Sequence, residues 1–261
     1  MSFSYSNVIV VSLLDLENEG NRASSPRRYW PWVNSFPQYD LRSVSDREVK
    51  NRVVILGGGG LLDKKYKSQL DMISSSAKEV YLWGVGINSL GVEFDDEPLQ
   101  WDIVKNAQLI GLRDSIRNPD VEVWNIGCPS VMHPIFAHPP EPKVNAVAYI
   151  HEGYDFDMPK VRQITTNSDI DDALFHIARS RCVFTTSYHG AMWGAWLGKQ
   201  VVILDPFSSK FYTGLNQEAV GYDMPLSLDM NMKGREWYES VIRSHREFER
   251  FIGSKITIEP I

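Results

Sequence analysis

The stretch Thr185-Thr186-Ser187-Tyr188-His189-Gly190 sets three hydroxyl side chains, an aromatic ring, a histidine and a glycine directly behind an apolar run. Hydroxyls and free N–H groups where a strand passes into a helix make a place for an anion. Histidine is the side chain best suited to give or take a proton near neutral pH, so His189 is the candidate catalytic residue. Arg113, in Arg113-Asp114-Ser115, stands at the end of another apolar run. An arginine there can hold a phosphate or carboxylate through two parallel N–H bonds; the plainer reading is an ion pair with Asp114 at the surface. Lys210 and His151 each follow a further run, where the first could pair with an anion and the second could face a cleft.

Two glycine turns have the same placement. Gly57-Gly58-Gly59-Gly60 follows Arg52–Leu56, and Gly84-Val85-Gly86-Ile87-Asn88 follows Val80–Trp83. Glycines let backbone N–H groups approach an anion or a sugar, so Gly58, Gly59, Gly60 and Gly86 are candidate acceptor-side or backbone-turn positions. Asn88 offers hydrogen bonds to a sugar hydroxyl or a phosphate. The first run is not a P-loop, because no Gly-Lys-Ser/Thr follows it. The second lacks a third glycine, which favours a structural turn. His133, His138, His176 and His245 stand outside any motif, and no metal-ligand spacing is visible, so no metal is expected.

Elements must carry these residues to one place. The runs Val8–Leu14, Arg52–Leu56, Val80–Trp83, Leu109–Leu112 and Val121–Ile126 are apolar throughout rather than alternating, as strands buried on both faces of a parallel sheet must be. Lys64–Lys78 and Pro98–Ala107 between them have helical spacing. Four prolines within Met132–Val144 interrupt the series. A second series follows: strands at Val144–Ile150, Val161–Thr165, Cys182–Thr186 and Val201–Leu204, and helices at Ile170–Arg179, Ala191–Leu197 and Arg235–Phe251. The expected fold is α/β, with two Rossmann-like halves facing a cleft. Residues 1–133 form the first half, 134–143 a proline-rich linker and 144–261 the second half with a terminal helix.

The 261 residues carry a net charge of −6, with 43% hydrophobic and 23% charged side chains. That balance is globular rather than disordered, and it argues against a nucleic-acid or anionic-membrane binder unless a local basic patch is present. Arg22, Arg27 and Arg28 beside Tyr29, Trp30 and Trp32 form such a cluster, read as a solvated loop ahead of an acceptor surface. Cys128 and Cys182 are read as buried thiols of a reducing compartment. No run is long enough to span a membrane and no signal peptide is evident, so a cytoplasmic location is expected.

Taken in order, a glycine run after an early strand, a Gly-x-Gly turn, Arg113-Asp114, Gly127-Cys128-Pro129-Ser130 and Ser187-Tyr188-His189-Gly190 resemble the polysaccharide pyruvyl transferase family, in particular its short, xanthan ketal-pyruvate-transferase-like members. The resemblance runs from about Val53 to Phe211. It implies a GT-B-like fold and transfer of a pyruvyl group from phosphoenolpyruvate, as co-substrate rather than cofactor, to a sugar diol. The product would be a cyclic ketal in surface-polysaccharide biosynthesis. The acceptor would be a saccharide, lipid- or nucleotide-linked, with at most peripheral membrane contact and no nucleic acid. Carried over by motif, His189 would be the acid/base residue, Arg113 would bind the donor anion, and Ser187 and Gly190 would line the anion pocket. Many family members carry arginine where this chain has Ser187; Arg113 and Lys210 are the cations placed to compensate. Two other functions fit the same pattern: a GT-B-like glycosyltransferase using a nucleotide sugar, and a non-catalytic binding protein of the same fold.

Overall fold

The computed structural model describes residues 7–14, 18–88, 97–114, 122–154, 156, 158–205, 208, 210–213, 215, 226–227 and 233–256. Ser115 and the start of the expected strand Val121–Ile126 lie outside them. The first sheet contains β1 (Val8–Ser12), β2 (Gln38–Asp40), β3 (Val53–Gly57), β4 (Glu79–Val85), β5 (Leu109–Leu112) and β6 (Trp124–Asn125). All pairings are parallel, in the order β2-β1-β3-β4-β5-β6. Every residue of β1, β3 and β5 is buried, which is why these runs lack alternation. Successive side chains still part to opposite faces: Ile9 and Val11 join one core cluster, Val8 and Val10 the other.

The second sheet contains β7 (Val144–Ile150), β8 (Arg162–Thr165), β9 (Ser180–Thr185), β10 (Gln200–Ile203) and β11 (Leu226–Ser227), in the order β11-β10-β9-β7-β8. Only the β10–β11 pairing is antiparallel. The helices are α1 (Glu19–Ala23), α2 (Pro31–Asn34), α3 (Asp46–Val49), α4 (Lys67–Ser76), α5 (Asp102–Lys105), α6 (Pro134–Ala137), α7 (Ile170–Ala178), α8 (Tyr188–Trp196), α9 (Lys210–Thr213) and α10 (Lys233–Lys255). The expected α/β class with two parallel-sheet halves is what the chain adopts. In each sheet the first strand of the half sits inside, with its successors laid to either side. The chain therefore reverses direction across β1 in one half and across β7 in the other. Ligands of open α/β sheets bind beyond the carboxyl ends of strands at such reversals.

Two features depart from the expected division. The proline-rich stretch is not a bare linker: Pro134 opens α6, where a missing N–H costs nothing, His133 caps that helix, and Phe136 is buried in the second half's core. The terminal helix belongs to both halves. Tyr238 and Val241 of α10 pack in the second core, whereas Phe248, Ile252 and Ile256 lie on the first sheet with Trp83 and Ile126. His245 sits between them, its Nδ1 accepting a hydrogen bond from Trp83 Nε1 at 3.2 Å. Among the described residues no helix is long and apolar enough to cross a membrane.

Candidate anion site between the two sheets

Beyond the carboxyl ends of both sheets lies a cavity of about 190 Å³. From the first half it is lined by Leu13, Asn18, Asn21, Gly60, Lys65, Tyr66, Asn88 and Arg113; from the second by His151, Ser187, Tyr188, His189 and Lys210. Among the described residues the lining holds two lysines, an arginine and two histidines and no carboxylate. Such a wall, at the meeting of two strand-end crevices, selects for negative charge.

Arg113 follows β5 and is 4% exposed. Its guanidinium lies over the Tyr188 ring, 4.6 Å from ring centre to Cζ. The expected pair with Asp114 is present, but it is buried rather than at the surface, and it is long. Both residues are buried, Nε stands 3.9 Å from Asp114 Oδ1, and the Asp114 carboxylate instead accepts the Ile87 N–H at 2.6 Å. Arg113 Nε and Nη2 find no hydrogen-bond partner among the described residues. A buried guanidinium, always charged, with two unsatisfied nitrogens is costly unless a ligand completes it. Gly86 is the floor beneath it: a Cβ there would overlap the guanidinium. The Gly-x-Gly turn thus makes room for Arg113 rather than lining the cavity itself.

Lys210 opens α9 just past β10, and its Nζ donates to Asn88 Oδ1 at 3.3 Å; Asn88 Nδ2 in turn donates to Asp63 at 2.8 Å. Burial, and after it the charge of Arg113, pulls the Lys210 ammonium down to about 7. His151 follows β7; its N–H donates to Thr186 Oγ1 at 2.8 Å, and burial with the nearby Lys210 pulls its imidazole down to about 4. Ser187 is the N-cap residue of α8, yet its hydroxyl makes no capping bond. Thr185 performs the turn instead: its Oγ1 accepts the Ser187 N–H at 2.9 Å and donates to Tyr149 O at 2.6 Å.

His189 sits in the first turn of α8, 6% exposed. Burial, then the charges of Arg113, Lys210 and His151, hold its imidazole well below the ordinary histidine value. These surroundings therefore keep His189 neutral, not poised near neutral pH as its type alone suggests. Its ring packs on Tyr188 and Trp193, and Nε2 lies 3.0 Å from Ser24 Oγ.

Besides Gly86, three expected positions serve the frame instead of the cavity. Gly190 is turned inward, where a Cβ would overlap Thr185 and Tyr149; it seats α8 on β9 and does not line the anion pocket. Gly58 and Gly59 adopt φ of +78° and +76°, the left-handed region open to glycine. A Cβ at Gly58 would also strike the Ser24 backbone. Gly60 and Asn88 do reach the cavity, as do Arg113, His151, Ser187, His189 and Lys210.

No protein-family model matches the chain, and no curated protein does. Two solved structures are distantly similar. An α-glucosyltransferase in complex with UDP and a 13-mer DNA containing an HMU base is 9% identical, covers 75% of this chain and 79% of its own, and gives a TM-score of 0.41. An α-glucosyltransferase in complex with UDP and a 13-mer DNA containing a central A:G mismatch is 10% identical, with 92% and 90% covered and a TM-score of 0.40. Likenesses this distant carry nothing about the site.

Sequence reasoning missed α1. This helix precedes the first glycine run, yet it docks on the second half: Glu19 N donates to Thr166 O at 2.9 Å, Gly20 lies against the His189 ring, and Asn18 and Asn21 line the cavity. The basic aromatic cluster is not a loose loop but is tied to the fold. Arg22 and Arg28 pair with the buried Glu19, the latter at 2.9 Å, and Trp30 packs at a tilt against Trp83 and His245. Lys65 and Tyr66, inside the expected helix Lys64–Lys78, form a 3₁₀ turn ahead of α4 and complete the rim. Of the cysteines, Cys128 is fully buried and Cys182 only half-buried.

Proposed function

We propose that the cavity binds phosphoenolpyruvate and that the protein is a transferase moving its pyruvyl group to a sugar diol as a cyclic ketal. The observation that carries this reading is Arg113: buried, with two nitrogens that make no hydrogen bond among the described residues, beside Lys210 and His189 in a cavity whose described lining has no carboxylate. A small molecule bearing a phosphate and a carboxylate satisfies those nitrogens and neutralises the gathered charge. Size supports the choice. Pockets for drug-sized ligands run from roughly 300 Å³ upward, and a cavity of about 190 Å³ suits the three-carbon donor better than an entire nucleotide sugar.

The residues account for each step. Bound donor anions reverse the sign of the charge facing His189, so its imidazole takes up a proton that the surrounding cations otherwise deny it. The imidazolium gives that proton to the donor's methylene carbon, which becomes the ketal methyl. The neighbouring carbon becomes electrophilic, and the first acceptor hydroxyl adds to it, returning a proton to the imidazole. The carbon–oxygen bond to phosphate then breaks, with Arg113 and Lys210 stabilising the departing anion. The second hydroxyl adds to the same carbon, and its proton leaves with the phosphate. Both hydroxyls belong to one sugar, so ring closure is effectively intramolecular.

The test is ligand stabilisation followed by turnover. Phosphoenolpyruvate is expected to raise the melting temperature and UDP-sugars to leave it unchanged; phosphate release should require a diol-bearing sugar. Arg113→Ala and Arg113→Lys should both lose the stabilisation, since an ammonium does not reproduce the guanidinium fork. Stabilisation by a UDP-sugar but not by phosphoenolpyruvate would transfer the assignment to glycosyl transfer.

A further inference from the structure

Behind His189 lies a chain of buried donors and acceptors that reaches it from the side away from the cavity. Trp193 Nε1 stands 3.0 Å from Ser130 Oγ, Ser130 Oγ 3.2 Å from Cys128 Sγ, Cys128 Sγ 3.3 Å from Ser24 Oγ, and Ser24 Oγ 2.6 Å from Gly20 O. An indole N–H only donates and a carbonyl only accepts, so both ends of this chain are fixed. Ser130 must accept from Trp193, which leaves its own hydrogen for the sulfur. Cys128 directs its S–H to Ser24, and Ser24 gives its single hydrogen to Gly20 O. Every hydrogen points the same way.

The consequence falls on His189 Nε2, 3.0 Å from Ser24 Oγ. With its hydrogen engaged elsewhere, Ser24 can only accept, so Nε2 must donate. Cys128 Sγ, 3.8 Å from Nε2, gives no alternative, because its hydrogen is directed to Ser24 as well. In the neutral ring, Nδ1 then carries the lone pair. It faces Gly20, where a Cβ would overlap it. Gly20 lies in a helix with no left-handed backbone to demand glycine. The missing side chain there clears the space at Nδ1.

We propose that Ser24 is a positioning residue that fixes His189 as the Nε2–H tautomer, and that Nδ1, kept open by Gly20, is the atom that takes up and returns the proton. The inference rests on the acid/base reading of His189, but its first half concerns the resting protein alone. The groups facing the ring are Arg113, Lys210 and His151 from the cavity side and Cys128 and Ser24 behind.

Two-bond ¹H–¹⁵N spectra of the ¹⁵N-labelled protein at pH 7 read the tautomer directly. The expected pattern is protonated Nε2 with bare Nδ1; inorganic phosphate, filling the cavity, should protonate Nδ1. In Ser24→Ala the Nε2–H form should lose its dominance. Its kcat should fall about a hundredfold, with KM for phosphoenolpyruvate little changed, as expected for a histidine in the wrong tautomer. Gly20→Ala should keep the Nε2–H pattern, yet its Nδ1 should no longer protonate when phosphate is added. A dominant Nδ1–H form in the wild-type protein overturns the proposal. So does a Ser24→Ala variant with unchanged tautomer and kcat. If phosphoenolpyruvate proves not to be a substrate, the proposed function fails, while the spectra still decide the tautomer.

Discussion

Arg113 and Lys210 are both cations in the cavity wall, but they answer to different physics. A guanidinium stays protonated whatever its burial, so Arg113 supplies fixed charge and two directed N–H groups. Lys210 is pulled down to about 7, first by burial and then by Arg113, so its charge is conditional. An anion arriving beside it stabilises the ammonium, and above the free-site value binding must draw a proton from solvent. Anion affinity should therefore fall as the pH rises through about 7, by up to about tenfold per unit. Sulfate is the clean probe, because its own charge is constant across that range. Calorimetric titration between about pH 6 and pH 8 should show the decline, and Lys210→Met should bind more weakly with a shallower slope, the remainder coming from proton uptake by His189. A wild-type affinity independent of pH would mean that neither group takes up a proton on binding. The sequence displayed these residues because each stands just past an apolar run, and Arg113, His151, His189 and Lys210 all line the one cavity. It could not display whether Arg113 would be satisfied by Asp114. That depends on the Ile87 N–H taking the carboxylate, a contact set by how two strand ends meet.

Among the elements, α8 and α1 illustrate opposite degrees of legibility. The strand expected at Cys182–Thr186 and the helix expected at Ala191–Leu197 are found at Ser180–Thr185 and Tyr188–Trp196; the helix, buried at every position, begins three residues earlier than its apolar run announced. The five residues of α1 are too few to display a period, and they do nothing until they meet Thr166 and His189 from the other half. No short-range rule could announce Gly20 or Ser24. The terminal helix falls between: its amphipathic repeat was plain, but its address was not. Phe248, fully buried, meets Trp83 and Trp124 edge-on at 5.7 and 6.0 Å between ring centres, and Gly111 is bare where its ring rests. Phe248→Ala should cost about 3–5 kcal/mol, as large-to-small changes in a packed core do. Urea denaturation monitored by tryptophan fluorescence would measure it. A loss under about 1 kcal/mol would indicate that α10 merely rests on the sheet.

For the molecule as a whole, burying imidazoles makes the fold sensitive to acid. His245 is pulled down to about 3 by burial and His151 to about 4, first by burial and then by Lys210. Both lie below the ordinary histidine value near 6.5. The stability each contributes is complete above about 6.5 and is lost as the pH falls through that value toward the folded one. From His245 alone the loss should reach about 2 kcal/mol by pH 5. Denaturation curves at pH 7 and pH 5 should differ by at least that amount. His245→Asn, which keeps an acceptor for Trp83 without titrating, should narrow the gap; an equal gap in the variant would exonerate His245. The helix that carries this histidine has a further effect on how the chain comes into being. Trp83 and Ile126 leave the ribosome more than a hundred residues before Phe248, Ile252 and Ile256, which cover them. Throughout that interval one face of the first sheet is exposed and oily. The nascent chain is then a client for a holdase, and translation arrested ahead of residue 233 would leave a product that proteases readily trim.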